Sequence, residues 1–489
     1  MDITPEHLMA TLHGWTAGAG ALYRRLASAL AAAITDGRLA AGARLPAERR
    51  IGTDLAISRS TVAAALEALE QRGLVTRRQG SGTYVTSVAR PAAEGRRALV
   101  QDLDEHAVVR DLSGGPEASI ELLAAAVGCA PEVRAAAVGL DDGEVRRWTT
   151  GHGYVPLGLP PLREAIAEHL SDHGLPTTRD QVMVTGGAVE AVLLAARLFL
   201  EPGDPVVVEA PSYIGALDVL RSVDGRLLSV EVDDRGARTD QLAALITRSL
   251  PRMVYLIPDF HNPTGALLSG QRRHEVARLA AESRIPIVED LVQRELWFES
   301  PPPPPIAAAD PGAPVLTLGS MSKVFWGGLR IGWVRADPIT IERLGRIKTV
   351  INYGTPAIDQ AVSARLLPQI DAIAARRREQ LAVRLAALED ALRAHLPDWR
   401  WRTPAGGLSL WLELPSATAP ALVRAAARRG LAIATGASFG VAARDHHDHV
   451  RLPFVADPST ITQGVRRLAA AWDDVTRNGD PDRSRAVVV

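Results

Sequence analysis

Between residues 181 and 336, short apolar runs alternate with helix-length stretches, and few folds accommodate that rhythm. The runs are QVMVTGG, DPVVVEAPSY, MVYLIPDF, IPIVED, VLTLGS and IGWVRA. AVEAVLLAARLFL and IGALDVLRSV follow the first two, and a helical stretch over 271–283 precedes the fourth. Near-continuous apolar runs of this length suit strands covered on both faces. The alternation predicts an α/β unit with a mostly parallel sheet. Such sheets bind ligands beyond the carboxyl ends of their strands, so the residues just after each run are the first to inspect.

At 489 residues the chain has room for about three structural units. A net charge of −1, with 47% hydrophobic and 23% charged residues, excludes bulk disorder. The single cysteine, Cys129, excludes a disulfide framework and any multi-cysteine metal site. No metal ligands are expected, and the compartment is read as reducing and cytoplasmic. No apolar stretch reaches membrane-spanning length, and residues 1–14 lack the basic-then-apolar order of a secretory signal. Residues 370–395 read as helix, 405–475 as a smaller α+β unit, and Pro301–Pro305 as a rigid surface loop. The tail 478–489 reads as flexible.

The first 86 residues hold ten Arg against seven Asp and Glu, which mildly favours a polyanionic partner. Leu22, Leu26, Leu30 and Ile34 make one helical face, ended at Gly37. Pro46 opens a second helix running to Asp54. Ser58 caps a third, 59–72, with Val62, Ala65, Leu66 and Leu69 inward. Two β runs around Gly80-Ser81-Gly82 complete a winged helix-turn-helix. Recognition helices read bases with their N-terminal residues, which here are Arg59, Ser60 and Thr61 after Ser58. Arg49 lies on the preceding helix, and Arg77, Arg78, Gln79 and Gly80 form the wing tip. A protein-binding winged helix, with arginines serving only solubility, would show the same pattern. LPAER (45–49), SRSTV (58–62) and RQGSGT (78–83) resemble the GntR family of bacterial regulators. That resemblance implies double-stranded operator DNA as a partner.

Only two of the 55 basic residues are lysines, Lys323 and Lys348. In a chain that otherwise uses Arg, a lysine suggests chemistry that needs a deprotonated amine. Lys348 sits in an arginine-rich helical pattern and is expected to be solvated. Lys323 ends Gly319-Ser320-Met321-Ser322-Lys323 after the run VLTL, with Arg330 seven residues on. Hydroxyls and a guanidinium there can hold a phosphate. Three further motifs precede it. Thr185-Gly186-Gly187-Ala188 joins a strand to a helix, either as an anion-binding turn or as a plain one. Asn262, in DFHNPTG, can bond a phenolic oxygen or simply start a turn. Asp290 ends IPIVED and can either hold a pyridinium nitrogen or cap a helix.

Together these motifs resemble class I aminotransferases, the fold-type I pyridoxal 5′-phosphate (PLP) enzymes, over about 110–475. By that resemblance Lys323 is the Schiff-base lysine and Asp290 the partner of the ring nitrogen. Asn262 bonds the ring oxygen, and Tyr213 stacks on the ring. Gly187, Ala188, Ser320, Ser322 and Arg330 hold the phosphate. Tyr154 reaches the cofactor of a neighbouring subunit, which implies a homodimer, and Arg451 clamps an effector α-carboxylate. Two departures stand out: Gln293 replaces the family's tyrosine, and Val189 and Glu190 replace its glutamines. Loss of the phenol weakens tuning of the lysine and argues against efficient transamination.

A GntR head joined to an aminotransferase-like body resembles the MocR subfamily. The implied fold is multidomain: a winged helix-turn-helix (α with a β wing) at 12–86, a linker at 87–108 and an α/β aminotransferase-like domain at 109–477 with a smaller C-terminal α+β subdomain. The implied function is a transcription regulator that senses PLP or its adduct with an amine or amino acid. An active aminotransferase with a DNA-tethering head, and a regulator whose body is a cofactor-free scaffold, are the alternatives.

Overall fold

The computed structural model describes residues 3, 8, 11–12, 15, 22–35, 39, 42–55, 57–71, 74–78, 82–85, 120–415, 419–442 and 445–478. The expected linker, the wing-tip residues Gln79 and Gly80, the Arg78 side chain and the tail 479–489 lie outside the described residues. The chain divides into two compact units, Met1–Glu105 and His106–Val489.

In the first unit, helices α1 (Leu22–Thr35), α2 (Glu48–Asp54) and α3 (Arg59–Gln71) precede strands β1 (Val75–Arg78) and β2 (Gly82–Val85). The strands pair antiparallel, from Val75 opposite Val85 to Arg78 opposite Gly82. Leu26, Leu30, Ile34, Ile51, Val62, Leu66 and Leu69 form the core. Leu22 does not join it: at the open first position of α1 it is largely exposed. The α2–α3 turn is tight, and a Cβ at Gly52 would lie 3.0 Å from the Ile57 carbonyl oxygen. Ser58 caps α3, its Oγ accepting the Thr61 N–H at 3.1 Å.

The second unit starts with β3 (Ile120–Leu122) and then builds an eight-stranded sheet. Its strands are β4 (Val182–Thr185), β5 (Pro205–Ala210), β6 (Arg226–Asp233), β7 (Gly236–Ala237), β8 (Met253–Leu256), β9 (Ile287–Asp290), β10 (Val315–Ser320) and β11 (Gly332–Arg335). They lie in the order β4-β11-β10-β9-β8-β5-β6-β7. Neighbours from β10 to β6 run parallel, whereas β11 is antiparallel to both β10 and β4. The sheet is therefore mostly parallel, as the alternation predicts. β6 escapes that pattern because Val230 is its one fully buried residue.

Among the helices, α4 (Pro160–Asp172), α5 (Ala188–Phe199), α6 (Pro338–Asn352) and α7 (Ile370–His395) carry the residues discussed below. A five-stranded sheet follows from β12 (Arg400–Trp401), β13 (Ser409–Glu413), β14 (Leu431–Thr435) and β15 (His449–Pro453), in the order β12-β13-β15-β14-β3. Its edge is thus β3, which pairs parallel with β14 from just over 300 residues upstream. The smaller subdomain is therefore not confined to 405–475. The proline run also departs from the expected surface loop. Pro302 and Pro305 are buried, and the Pro303 and Pro304 carbonyls accept from Arg294 (3.0 Å) and Arg273 (3.4 Å).

Candidate functional site

β4, β9 and β10 point the same way, and their carboxyl ends deliver Thr185, Asp290 and Ser320 together. Lys323 follows Ser320 in a turn. Its half-buried amine donates to the Ala125 carbonyl oxygen at 2.8 Å. Burial first, then the Arg451 and Arg330 charges, lower its pKa to about 8 against the opposing pull of Asp290. Asp290 is buried, which pushes its carboxyl above the usual range. Its Oδ2 accepts the Tyr255 hydroxyl at 2.8 Å, and its Oδ1 accepts the Val292 N–H at 3.0 Å. Tyr255 is wholly buried, and burial together with the Asp290 charge holds its phenol well above the ordinary range. A tyrosine inside the apolar run MVYL needs a partner for its hydroxyl, and that was the available signal for this otherwise unforeseen residue. Tyr213 faces the same charges; burial and Asp290 raise its phenol.

The turn before α5 bends through Gly187 at φ 112°. A Cβ there would lie 2.9 Å from Arg330 Nη2, so glycine lets the guanidinium approach. Arg330 Nη2 donates to the Gly186 carbonyl at 2.7 Å. Ser320 and Ser322 join at 3.1 Å, and the Ser322 N–H bonds Ser320 Oγ at 3.2 Å. Ala188 opens α5, placing a helix N-terminus beside these hydroxyls and the guanidinium.

Behind the turn the expectation for Lys348 fails. Lys348 is fully buried, its Nζ lying 2.8 and 3.0 Å from the Glu190 carboxylate oxygens. Asn352 donates to the same carboxylate at 2.5 Å, and so does the Gly186 N–H. The arginine-rich pattern around Lys348 concealed this because its partner lies 158 residues away. Glu190 is thus the acceptor that ties the turn to α6.

Arg451, on β15, is 6% exposed. Its guanidinium donates to Asn262 Oδ1 at 3.3 Å and to the Leu123 carbonyl, and lies 4.7 Å above the Phe439 ring. Its buried Nε has no partner. Both acceptors are neutral, and burial lowers its pKa to about 10. A buried guanidinium held only by neutral acceptors is matched to an incoming anion. Gln293 is buried, and its amide donates to the Phe260 carbonyl at 2.9 Å. Tyr154 stands apart from this cluster, 60% exposed and stacked 5.2 Å from Tyr353. The carbonyls of Leu123 and Ala125 carried no side-chain signal in the sequence.

These side chains fit pyridoxal 5′-phosphate. They offer a lysine free of any carboxylate bond, a buried carboxylate suited to a ring nitrogen, and a glycine turn with hydroxyls and a guanidinium suited to a phosphate.

In the first unit Arg59 opens α3, exposed and only loosely paired with Glu48 at 3.5 Å. The hydroxyls of Ser58, Ser60 and Thr61 bond one another, Ser58 to Ser60 at 2.9 Å and Ser58 to Thr61 at 2.8 Å. Arg49 is exposed on α2. Arg77 folds back, donating to the Ala63 carbonyl at 3.0 Å rather than extending the wing.

Comparison with known proteins agrees with both halves. The family described as "Aminotransferase class I and II" matches residues 126–468, and "Bacterial regulatory proteins, gntR family" matches 22–85. The uncharacterized HTH-type transcriptional regulator YdfD of Bacillus subtilis is 30% identical over 91% of this chain and 95% of its own. A 2-aminoadipate transaminase of Thermus thermophilus is 33% identical over 64% of this chain and 79% of its own. Among solved structures, the α-aminoadipate aminotransferase LysN of T. thermophilus, complexed with N-(5′-phosphopyridoxyl)-L-leucine, superposes with TM-score 0.69 at 29% identity. It covers 80% of this chain and 99% of its own. Fold and site thus define a fold-type I, PLP-dependent body joined to a GntR-type head. The chain belongs to the MocR subfamily of GntR-type transcription regulators.

Proposed function

We propose that this regulator reads the state of its PLP site, alone or loaded with an amine or amino acid, and adjusts its grip on operator DNA accordingly. The observation that carries this reading is the pair of bonds on one short segment. Lys323 donates to the Ala125 carbonyl and Arg451 to the Leu123 carbonyl. When bound, the cofactor supplies a carbonyl carbon that condenses with primary amines and a ring that withdraws electrons. Lys323, Asp290, Asn262, Tyr213, Gly187, Ala188, Ser320, Ser322 and Arg330 are the residues proposed to hold it. With a pKa of about 8, roughly a tenth of the Lys323 amine is unprotonated at pH 7, enough to act as a nucleophile. A carboxylate taken by Arg451 replaces the Leu123 acceptor. Ligation therefore changes what holds residues 123–125, which directly follow β3 at the start of the described body. A ligand shifts DNA affinity only through such differential interactions with two conformations.

A homodimer fits the surface around Tyr154, where Tyr353 (56%) and Val350 (87%) are also exposed. Arg49, Ser58, Arg59, Ser60, Thr61, Arg78, Gln79 and Gly80 are proposed to contact DNA. Gln293, engaged with Phe260 and lacking a phenol, favours a sensor over an enzyme; steady amino transfer from a donor to a keto acid would select the enzyme instead.

The test is the visible spectrum before and after borohydride reduction, with peptide mapping, followed by operator binding with and without amino acids. Yellow protein labelled at Lys323, and DNA affinity that changes with an amine, are expected. Protein that stays colourless with added PLP refutes the reading.

A further inference from the structure

We infer that the chain carries a divalent transition-metal site, remote in sequence from Lys323, built by His169, His173 and Glu295 with Asp371 completing it. His169 lies in the last turn of α4 and His173 caps that helix, so the two rings share one face, their centroids 4.4 Å apart. Glu295 comes from the turn after β9, and Asp371 from the first turn of α7.

One ligand atom from each of His169, His173 and Glu295 lies within 4.8 Å of the others. His169 Nε2 is 3.3 Å from Glu295 Oε1, and His173 Nε2 is 3.3 Å from Asp371 Oδ1. Tetrahedral ligands about 2.0–2.1 Å from zinc stand about 3.4 Å apart, the spacing that both His–carboxylate pairs already show.

Two details favour a metal over a plain polar pair. His173 Nδ1 lies 2.7 Å from the His169 carbonyl oxygen, the second bond that typically orients a ligating imidazole and leaves Nε2 facing the ion. Arg378 bonds the Glu295 backbone carbonyl at 3.1 Å and lies over the Trp297 ring, so its guanidinium is not spent on the Glu295 carboxylate.

Two imidazoles with carboxylates suit zinc and its neighbours rather than magnesium or calcium. The set was not expected from sequence, because its ligands come from three segments at least 76 residues apart that together span 202 residues. His169 also packs edge-on to Trp333 at 6.3 Å, on β11 next to the strand that carries Ser320. A bound ion would stiffen the sheet behind the lysine turn.

The experiment uses full-length protein with its purification tag removed, stripped with chelator and titrated with ZnCl2 against a chromophoric competitor. A crystal soaked in ZnCl2 and measured at the zinc edge locates the ion, because the loop holding His446, His447 and His449 offers a separate imidazole cluster. One equivalent bound, with an anomalous peak between His169, His173 and Glu295, is expected. His173→Gln, at the half-buried ligand, should weaken that equivalent at least about tenfold while leaving the metal-free melting curve unchanged. Asp371→Asn should weaken it less. Wild-type protein that holds no zinc, an anomalous peak only at the histidine loop, or equal affinity in His173→Gln overturns the inference.

Discussion

Two buried cations in the aminotransferase-like body should respond in opposite ways to removal. Burial lowers the Arg451 pKa to about 10, a penalty on its charged form of about 3 kcal/mol. Opposing it are two hydrogen bonds from a charged donor, to Leu123 and Asn262, worth about 1.5 kcal/mol each. The two nearly cancel, so Arg451→Met should leave stability within about 1 kcal/mol of the parent. Lys348 differs because its partner is a carboxylate. Removing one member of a buried ion pair costs about 3–5 kcal/mol. Glu190 keeps its bonds from Gly186 and Asn352, so the lower end applies to Lys348→Met. For a cooperative unit of nearly 400 residues this lowers the melting temperature by about 3–4 °C. Ligand binding should show the reverse order. Arg451→Met forfeits about 3 kcal/mol of charged bonding to a carboxylate, roughly a hundredfold in amino-acid affinity, whereas Lys348→Met leaves that contact in place. Circular-dichroism melts of cofactor-free protein, with amino-acid titrations followed by cofactor absorbance, measure both. If Arg451→Met melts as early as Lys348→Met, Arg451 is a structural residue and the anion-site reasoning fails.

Gly187→Ala places a methyl group against the Arg330 guanidinium at a backbone angle that L-residues resist, so PLP affinity should fall at least about tenfold by equilibrium dialysis. Unchanged affinity means that Arg330 does not close on the turn. The rate of PLP capture should rise with pH to a midpoint near 8, since the protonated amine below that value cannot attack; a stopped-flow midpoint near 10 would show that Lys323 is not desolvated. Arg59→Ala should abolish specific operator binding in a mobility-shift assay while the cofactor spectrum stays unchanged; loss of colour would show that the two units do not act separately. Removing the Arg78 side chain should weaken binding to all sequences and flatten its salt dependence, and an unaltered slope would count against a phosphate contact.

Legibility in the sequence followed locality. Apolar rhythm located β4, β5 and β8–β11, because each is covered on both faces and its pattern is set by neighbours in sequence. It passed over β6, where one buried residue in eight leaves no rhythm to see. The turn chemistry of Gly187 and the cap at Ser58 were readable because both act within three residues. The wider setting was not. Tyr255 finds Asp290 across the sheet, 35 residues on, and Glu190 finds Lys348 across 158. Nothing in a local window distinguishes a lysine that will be solvated from one enclosed by a distant carboxylate.

The two lysines show what scarcity can and cannot say. Both are withdrawn from water, so the chain did not keep either for solubility. Their partners separate them. Lys348 is locked by a carboxylate that also accepts from Gly186, and so anchors the Gly186-Gly187 turn from behind. Lys323 rests on a neutral carbonyl beside two guanidinium groups, which favours loss of its proton. Rarity thus marked positions where arginine was not substituted, whereas the charge of the partner decides which amine can react and which holds the site in shape.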